Sequence, residues 1–94
     1  MADLGFVAKV RPVLVLSIEY RSEERAVVTY VIRTTSMRRT RYEVPHAARG
    51  MPDGAFDAQG IASIPDVKLE RRLGVVNSAT LEEVEGAVRL WLAL

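Results

Sequence analysis

The sequence predicts a mainly β protein with a C-terminal helix, curled into a small SH3-like barrel. Three observations carry that expectation. Two β-branched and aliphatic runs, Val13-Leu14-Val15-Leu16-Ser17 and Ala26-Val27-Val28-Thr29-Tyr30-Val31-Ile32, flank a polar stretch from Glu19 to Arg25, as two buried antiparallel strands joined by a loop would. Further short extended segments follow at even spacing, punctuated by Pro45, Gly50, Pro52, Gly54 and Pro65. Beyond Asn77 the apolar period becomes helical: Leu81, Val84, Val88 and Trp91 form one stripe, with Ala87 filling between them.

Taken in order, residues 1–5 are too short for a strand with its own turn and read as the tail of one. Pro12 fixes φ and lacks a donor, so the strand proper is expected to begin at Val13 and to leave Arg11 on the lip of the sheet. From 33 to 41, four arginines (Arg33, Arg38, Arg39, Arg41) lie among Thr34, Thr35, Ser36 and Thr40 with only Met37 to bury, the pattern of an exposed basic loop. Arg41-Tyr42-Glu43-Val44 alternates like a half-exposed strand and ends at Pro45. His46 then falls in a loop, where a lone histidine without a second ligand at metal spacing is more often a surface residue than a ligand or base. Residues 54–65 form another extended segment, and Gly60 inside it signals a bulge or a close backbone approach. A charged stretch from 66 to 72 should point Val67 and Leu69 inward, before a last short strand, Leu73-Gly74-Val75-Val76. Thr80-Leu81-Glu82-Glu83 fits a capping box, with Asn77 and Ser78 as rival caps and acids in the first turn to complement the helix dipole.

Ninety-four residues make a single domain, 1–94, with a modest core, in the size range where a second copy often supplies the missing burial. No apolar run approaches the ~18 residues of a membrane span, and the start lacks a basic region followed by an apolar one, so a soluble, cytoplasmic protein is expected. There is no cysteine, which excludes disulfides and thiolate metal sites. The net charge of +1 conceals an asymmetry. Residues 1–49 carry nine Lys/Arg against five Asp/Glu, and residues 50–94 four against seven, so the first half presents the anion-facing surface. Eleven of the thirteen basic residues are arginine, whose planar fork suits bidentate contacts to phosphate.

Antiparallel pairing of the first two apolar runs brings Arg11, at the entry of one, beside Thr34, Thr35 and Ser36, at the exit of the other. A cation facing hydroxyls across a few ångströms is an arrangement that holds a phosphate. Arg38, Arg39 and Arg41 in the adjacent loop are candidates for contacts along a polyanion. Gln59 is either a further contact or a residue satisfying the backbone at the bulge.

These residues, met in order over nearly the whole chain, are familiar. Arg11-Pro12-Val13-Leu14-Val15-Leu16-Ser17, Val31-Ile32-Arg33-Thr34-Thr35, Arg41-Tyr42-Glu43-Val44, Asp57-Ala58-Gln59-Gly60-Ile61, Arg71-Arg72-Leu73-Gly74 and Thr80-Leu81-Glu82-Glu83-Val84 resemble the MazF/PemK toxins of type II toxin–antitoxin systems. The resemblance implies a barrel of the CcdB/PemK type, a homodimer, a cognate antitoxin, and metal-independent, cofactor-free endoribonuclease action on single-stranded RNA through a 2′,3′-cyclic phosphate. It also implies Arg11 and Thr34 as the catalytic pair; the residues themselves offer Thr35, Ser36, Arg38, Arg39 and Arg41 as RNA contacts, with Gln59 open between that role and the bulge. For the proton acceptor, Lys9, His46, Asp57 and Glu19 all stay open. The alternative is a non-catalytic barrel toxin that binds a protein target or only an antitoxin, as CcdB-type toxins bind protein targets. Such a protein needs no phosphate clamp at Arg11 and Thr34.

Overall fold

The computed structural model describes residues 3–6 and 11–94. Six strands form one antiparallel sheet: β1 (Asp3–Phe6), β2 (Pro12–Val15), β3 (Val27–Thr34), β4 (Glu43–His46), β5 (Gly54–Pro65) and β6 (Arg72–Val75), in the order β4-β5-β3-β2-β1-β6. A 3₁₀ turn (Asp66–Lys68) precedes β6, and the helix α1 (Ser78–Leu92) closes the chain. The opening residues, read as the tail of a strand, do contain one: Asp3–Phe6 pairs with β2 on one side and β6 on the other. The segment is held because both its backbone edges are taken up, one by β2, the next strand in sequence, and the other by β6.

In β2, neighbouring Val13 and Leu14 face opposite sides of the sheet, and both are fully buried. This is the pattern of an interior strand covered on both faces. β2 ends at Val15, short of Ser17, because the carbonyl of Thr29 accepts from both Leu16 N–H and Ser17 N–H, while Ser17 Oγ accepts from the Thr29 N–H. A side chain thus takes a rung of the ladder and bends the strand away.

β5 is the longest strand, and its pairing with β3 shifts register between Tyr30 and Ile32, where Ala62 and Asp57 are the respective partners. The surplus residues around Gly60 form the expected bulge. A Cβ at Gly60 would stand 2.6 Å from Ile32 Cγ1, so the backbone there approaches the neighbouring side chain as only glycine can. The bulge curls the sheet. Val44 of β4 and Val76, just past β6, belong to strands at opposite ends of the sheet order, yet both join one core with Leu14, Val31, Phe56 and Ala58. Val84 and Ala87 of α1 complete that core, and the helix packs against β4 and β5.

Two expectations at the C-terminal end are corrected. Val67 is 84% exposed, since the 3₁₀ turn carries it outward while Leu69 is half-buried. The helix is capped by Asn77, whose Oδ1 accepts from the Thr80 N–H at 2.8 Å, so Thr80 is inside the helix and Glu82 and Glu83 fall beyond its first turn, which holds no acid. Asn77→Ala should therefore cost about 1 kcal/mol of stability in urea unfolding, whereas Thr80→Ala, which removes no cap, should cost a small fraction of that.

Candidate functional site

The β2–β3 register builds the site. Val13 pairs with Ile32, Leu14 with Val31 and Val15 with Tyr30, and continuing that register brings Arg11 opposite Thr34. Both residues line a cleft of about 270 Å³ together with Pro12, Arg33, Thr35, Ser36, Met51 and Pro52. Arg11, Thr35 and Ser36 are exposed and Thr34 is half-buried. Thr34 Oγ1 accepts from the Ser36 N–H at 3.0 Å, a local turn that fixes the hydroxyl oxygen and leaves its proton to donate outward. The cleft is therefore lined by a guanidinium from the β2 side and hydroxyls from the β3 side.

Arg33 contradicts its assignment to the exposed loop. It lies in β3, two residues from Val31 and on the same face, and is only 4% exposed. Its guanidinium is a fork with three hydrogen bonds of 2.8 Å: Nε donates to His46 Nδ1, and Nη2 donates to the carbonyls of His46 and Pro52. Burial pushes its pKa below the ordinary arginine value, with the nearby Asp53 carboxylate acting the other way. Gly54 makes room for this fork. A Cβ there would stand 2.6 Å from the Thr34 carbonyl oxygen and 2.7 Å from Arg33 Nη1.

His46 is likewise corrected from a loop residue to the last residue of β4, paired with Gly54. Its ring lies 4.6 Å from that of Phe56, centroid to centroid, and burial first and the Arg33 charge second push its pKa below the usual value. An Nδ1 that accepts from a guanidinium assigns the neutral tautomer with its proton on Nε2. The signals that could have revealed this pair in the sequence are the period-two spacing of Val31 and Arg33 and the glycine at position 54.

The remaining candidates lie around the cleft rather than in it. The Glu43 carboxylate accepts from the backbone N–H groups of Arg38 and Arg39 at 2.6–3.1 Å, and Arg39 takes a left-handed conformation at φ 56°. Arg38, Arg39 and Arg41 are exposed. Arg39 borders a second depression of about 590 Å³ on the other side of Gly54, together with Thr40, Glu43 and His46. It is the larger of the two but does not contain Arg11 or Thr34. Arg41 stands 4.9 Å over the Tyr42 ring, which meets Trp91 edge-on at 5.2 Å. Gln59 is exposed at the bulge, its N–H donating to Asp57 Oδ1, and does not line the cleft. Of the four candidate proton acceptors, Lys9 lies outside the described residues. His46 is engaged by Arg33, Asp57 holds the bulge, and Glu19 borders a separate depression with Tyr20 and Asp66.

A curled antiparallel sheet with one terminal helix defines a small barrel, with a cleft at the β2–β3 end lined by an arginine and a cluster of hydroxyls. The sequence matches the PemK-like, MazF-like toxins of type II toxin–antitoxin systems over residues 5–92, and the chain belongs to that family. Among proteins of curated function, none matches it. Among solved structures, it is similar to an endoribonuclease from a mycobacterial species, at 25% identity and a TM-score of 0.83 over 98% of this chain and 88% of that one. It is similar in fold to the Mycobacterium tuberculosis toxin MazF-mt6, at 24% identity and 0.82 over 99% and 96%. The fold also matches the MazE–MazF complex of Deinococcus radiodurans, at 22% and 0.81 over 97% and 92%.

Gly54→Ala should disturb the cleft from behind, because the new methyl meets backbone and the buried guanidinium. A loss of about 1–3 kcal/mol in chemical denaturation is expected. The same substitution at Gly86, whose added Cβ meets nothing within 4 Å, should be neutral or stabilising.

Proposed function

We propose that this toxin is an endoribonuclease acting on single-stranded RNA, with Arg11 and Thr34 as its catalytic residues. The observation that carries the reading is the β2–β3 register, which sets a guanidinium against an oriented hydroxyl in one cleft. The substrate's 2′-oxygen attacks the adjacent phosphorus, the bond to the 5′-oxygen breaks, and the products are a 2′,3′-cyclic phosphate and a 5′-hydroxyl. The 2′ proton leaves through solvent, and a proton is returned to the departing 5′-oxygen. The contribution assigned to Arg11 and Thr34, which line the cleft, is electrostatic. Arg11 would meet the charge that builds on the non-bridging oxygens, and the Thr34 proton would bond one of them. Thr35 and Ser36 supply further donors on the β3 side, Arg38, Arg39 and Arg41 would follow the strand's phosphates, and Gln59 would reach RNA only beyond the cleft.

A solved mycobacterial relative is an endoribonuclease in complex with its cognate antitoxin, which supports an antitoxin protein as this chain's partner; the cytoplasm is where we place the pair. The end of α1 supports a homodimer: Leu90, Trp91 and Leu92 are about half exposed and Leu94 is 86% exposed, more apolar surface than one short helix end leaves to water without a use. Sedimentation at micromolar concentration should give the dimer mass; a monomer would reject that assignment.

The catalytic assignment is tested with EDTA-treated protein and a mixed-sequence RNA. Arg11→Ala should slow cleavage by ~10²-fold or more without unfolding the protein, since one oriented donor is worth about that much. Arg11→Lys should recover little of it, because a point charge cannot reproduce the planar fork. Thr34→Val keeps the β-branched shape and should lower the rate more than the stability. Full activity in Arg11→Ala, or products with 3′-hydroxyl ends, would reject the mechanism.

A further inference from the structure

Arg33 is the one buried charged side chain among the described residues, and the mechanism above makes no use of it. Its guanidinium joins three segments, two of which line the cleft. Its own strand, β3, carries Thr34 next in sequence. His46 ends β4, and Pro52 lies in the connection from β4 to β5, which supplies Met51 and Pro52 as a wall of the cleft. No main-chain ladder links that wall to the tip of β3, because β5 begins only at Gly54, where Thr34 pairs with Ala55. The Arg33 fork spans the gap.

We propose that Arg33 is a positioning residue for RNA cleavage, holding Thr34 and the Met51–Pro52 wall in their cleaving arrangement, and that it does so only while the His46 imidazole is neutral. The proposal rests on the endoribonuclease reading. Its physical basis is the direction of the 2.8 Å bond: the Arg33 Nε–H donates, so His46 Nδ1 must present a lone pair. Protonating His46 turns that acceptor into a second donor and sets two cations against each other at hydrogen-bond distance. The fork then loses one prong outright and is repelled at the others.

The groups that face His46 bear on the direction of the effect. From β3 comes the Arg33 charge, from β5 the apolar Phe56 ring, and from the connection before β5 comes Asp53. Arg39 and, on β4 itself, Glu43 border the same depression. Desolvation and Arg33 both favour neutral His46, so its protonation is displaced to below the ordinary value of about 6.5. The clamp is intact at and above neutral pH and opens as pH falls through the lowered value. Stability follows the same sign. Between the unfolded and folded pKa values the unfolded chain takes up a proton that the folded chain refuses, so stability present above pH ~6.5 is progressively lost below it.

The experiment compares steady-state cleavage between pH 7.5 and 5 for wild type, Arg33→Lys, His46→Asn and His46→Phe. Wild-type kcat should fall on the acid side, approaching tenfold per pH unit, with KM changing less than about threefold because the cleft's own donors stay in place. His46→Asn keeps an acceptor where Nδ1 stood but cannot titrate, so its acid limb should flatten whatever its rate at neutral pH. His46→Phe should be low throughout, and Arg33→Lys should lose about 100-fold in kcat, as a small misplacement of catalytic groups can. A readout without activity separates this proposal from the endoribonuclease reading: in NMR, the backbone amides of Thr34 and Met51 should titrate with the His46 midpoint in wild type and not in His46→Asn. An acid limb that persists in His46→Asn, or Thr34 and Met51 amides indifferent to His46 ionisation, would overturn it. If wild type cleaves no RNA, the amide titration still decides whether the clamp exists.

Discussion

A guanidinium taken out of water imposes stricter demands than any apolar contact, and the Arg33 fork meets them in a way the rest of the site depends on. An unpaired buried cation would cost several kcal/mol. Here two carbonyls and one imidazole accept from it, each at 2.8 Å. These acceptors come from the end of β4 and from the connection to β5, so satisfying one charge ties that connection, which precedes the β5 ladder, to the paired ends of β3 and β4. Gly54 is the steric corollary: a side chain there would occupy the space of the guanidinium and press on the Thr34 carbonyl. The corner that supports the cleft is thus set by one cation and one missing Cβ.

The juxtaposition of Arg11 and Thr34 was legible in the sequence because it needs only antiparallel pairing of two obvious apolar runs. The observed register, with Val13 opposite Ile32, fixes it. The burial of Arg33 was hidden by its neighbours: placed before Thr34, Thr35 and Ser36 and near three other arginines, it looked like the first residue of a basic loop. Strand periodicity overrides that local composition, since Arg33 shares a face with the fully buried Val31. His46 was missed for a related reason. A lone histidine has no spacing to read, and its partner lies thirteen residues earlier on a strand that is not its neighbour in the sheet.

Fold class followed from pattern more readily than element ends did. The bulge at Gly60 was announced by a glycine inside an apolar run, and the terminal helix by its stripe. The ends depended on single polar side chains competing for backbone groups. Ser17 takes a rung that would have extended β2, and Asn77 captures the helix start from the capping box at Thr80. Both Asn77 and Thr80 were plausible caps on composition; only the accepted hydrogen bond distinguishes them. Residues 3–6, read as the tail of a strand, gain their second edge from β6, a partner nearly seventy residues later that no local pattern announces.

The basic loop shows how a flexible-looking segment can be given a defined shape without burying its charges. Glu43 is the one acid within a run of arginines, and simple charge counting would pair its carboxylate with a guanidinium. It accepts instead from the main-chain N–H groups of Arg38 and Arg39, and the turn it stabilises carries Arg39 at positive φ. Holding the loop by its backbone leaves the Arg38 and Arg39 side chains exposed to water. The Arg41–Tyr42–Trp91 arrangement extends the same logic to the helix: a cation laid on an aromatic ring that itself rests on α1 connects the basic loop to the exposed apolar end of the molecule. An event that covers Trp91, such as binding of a second copy or of an antitoxin, would therefore bear on the ring beneath Arg41 and so on the loop proposed to guide RNA.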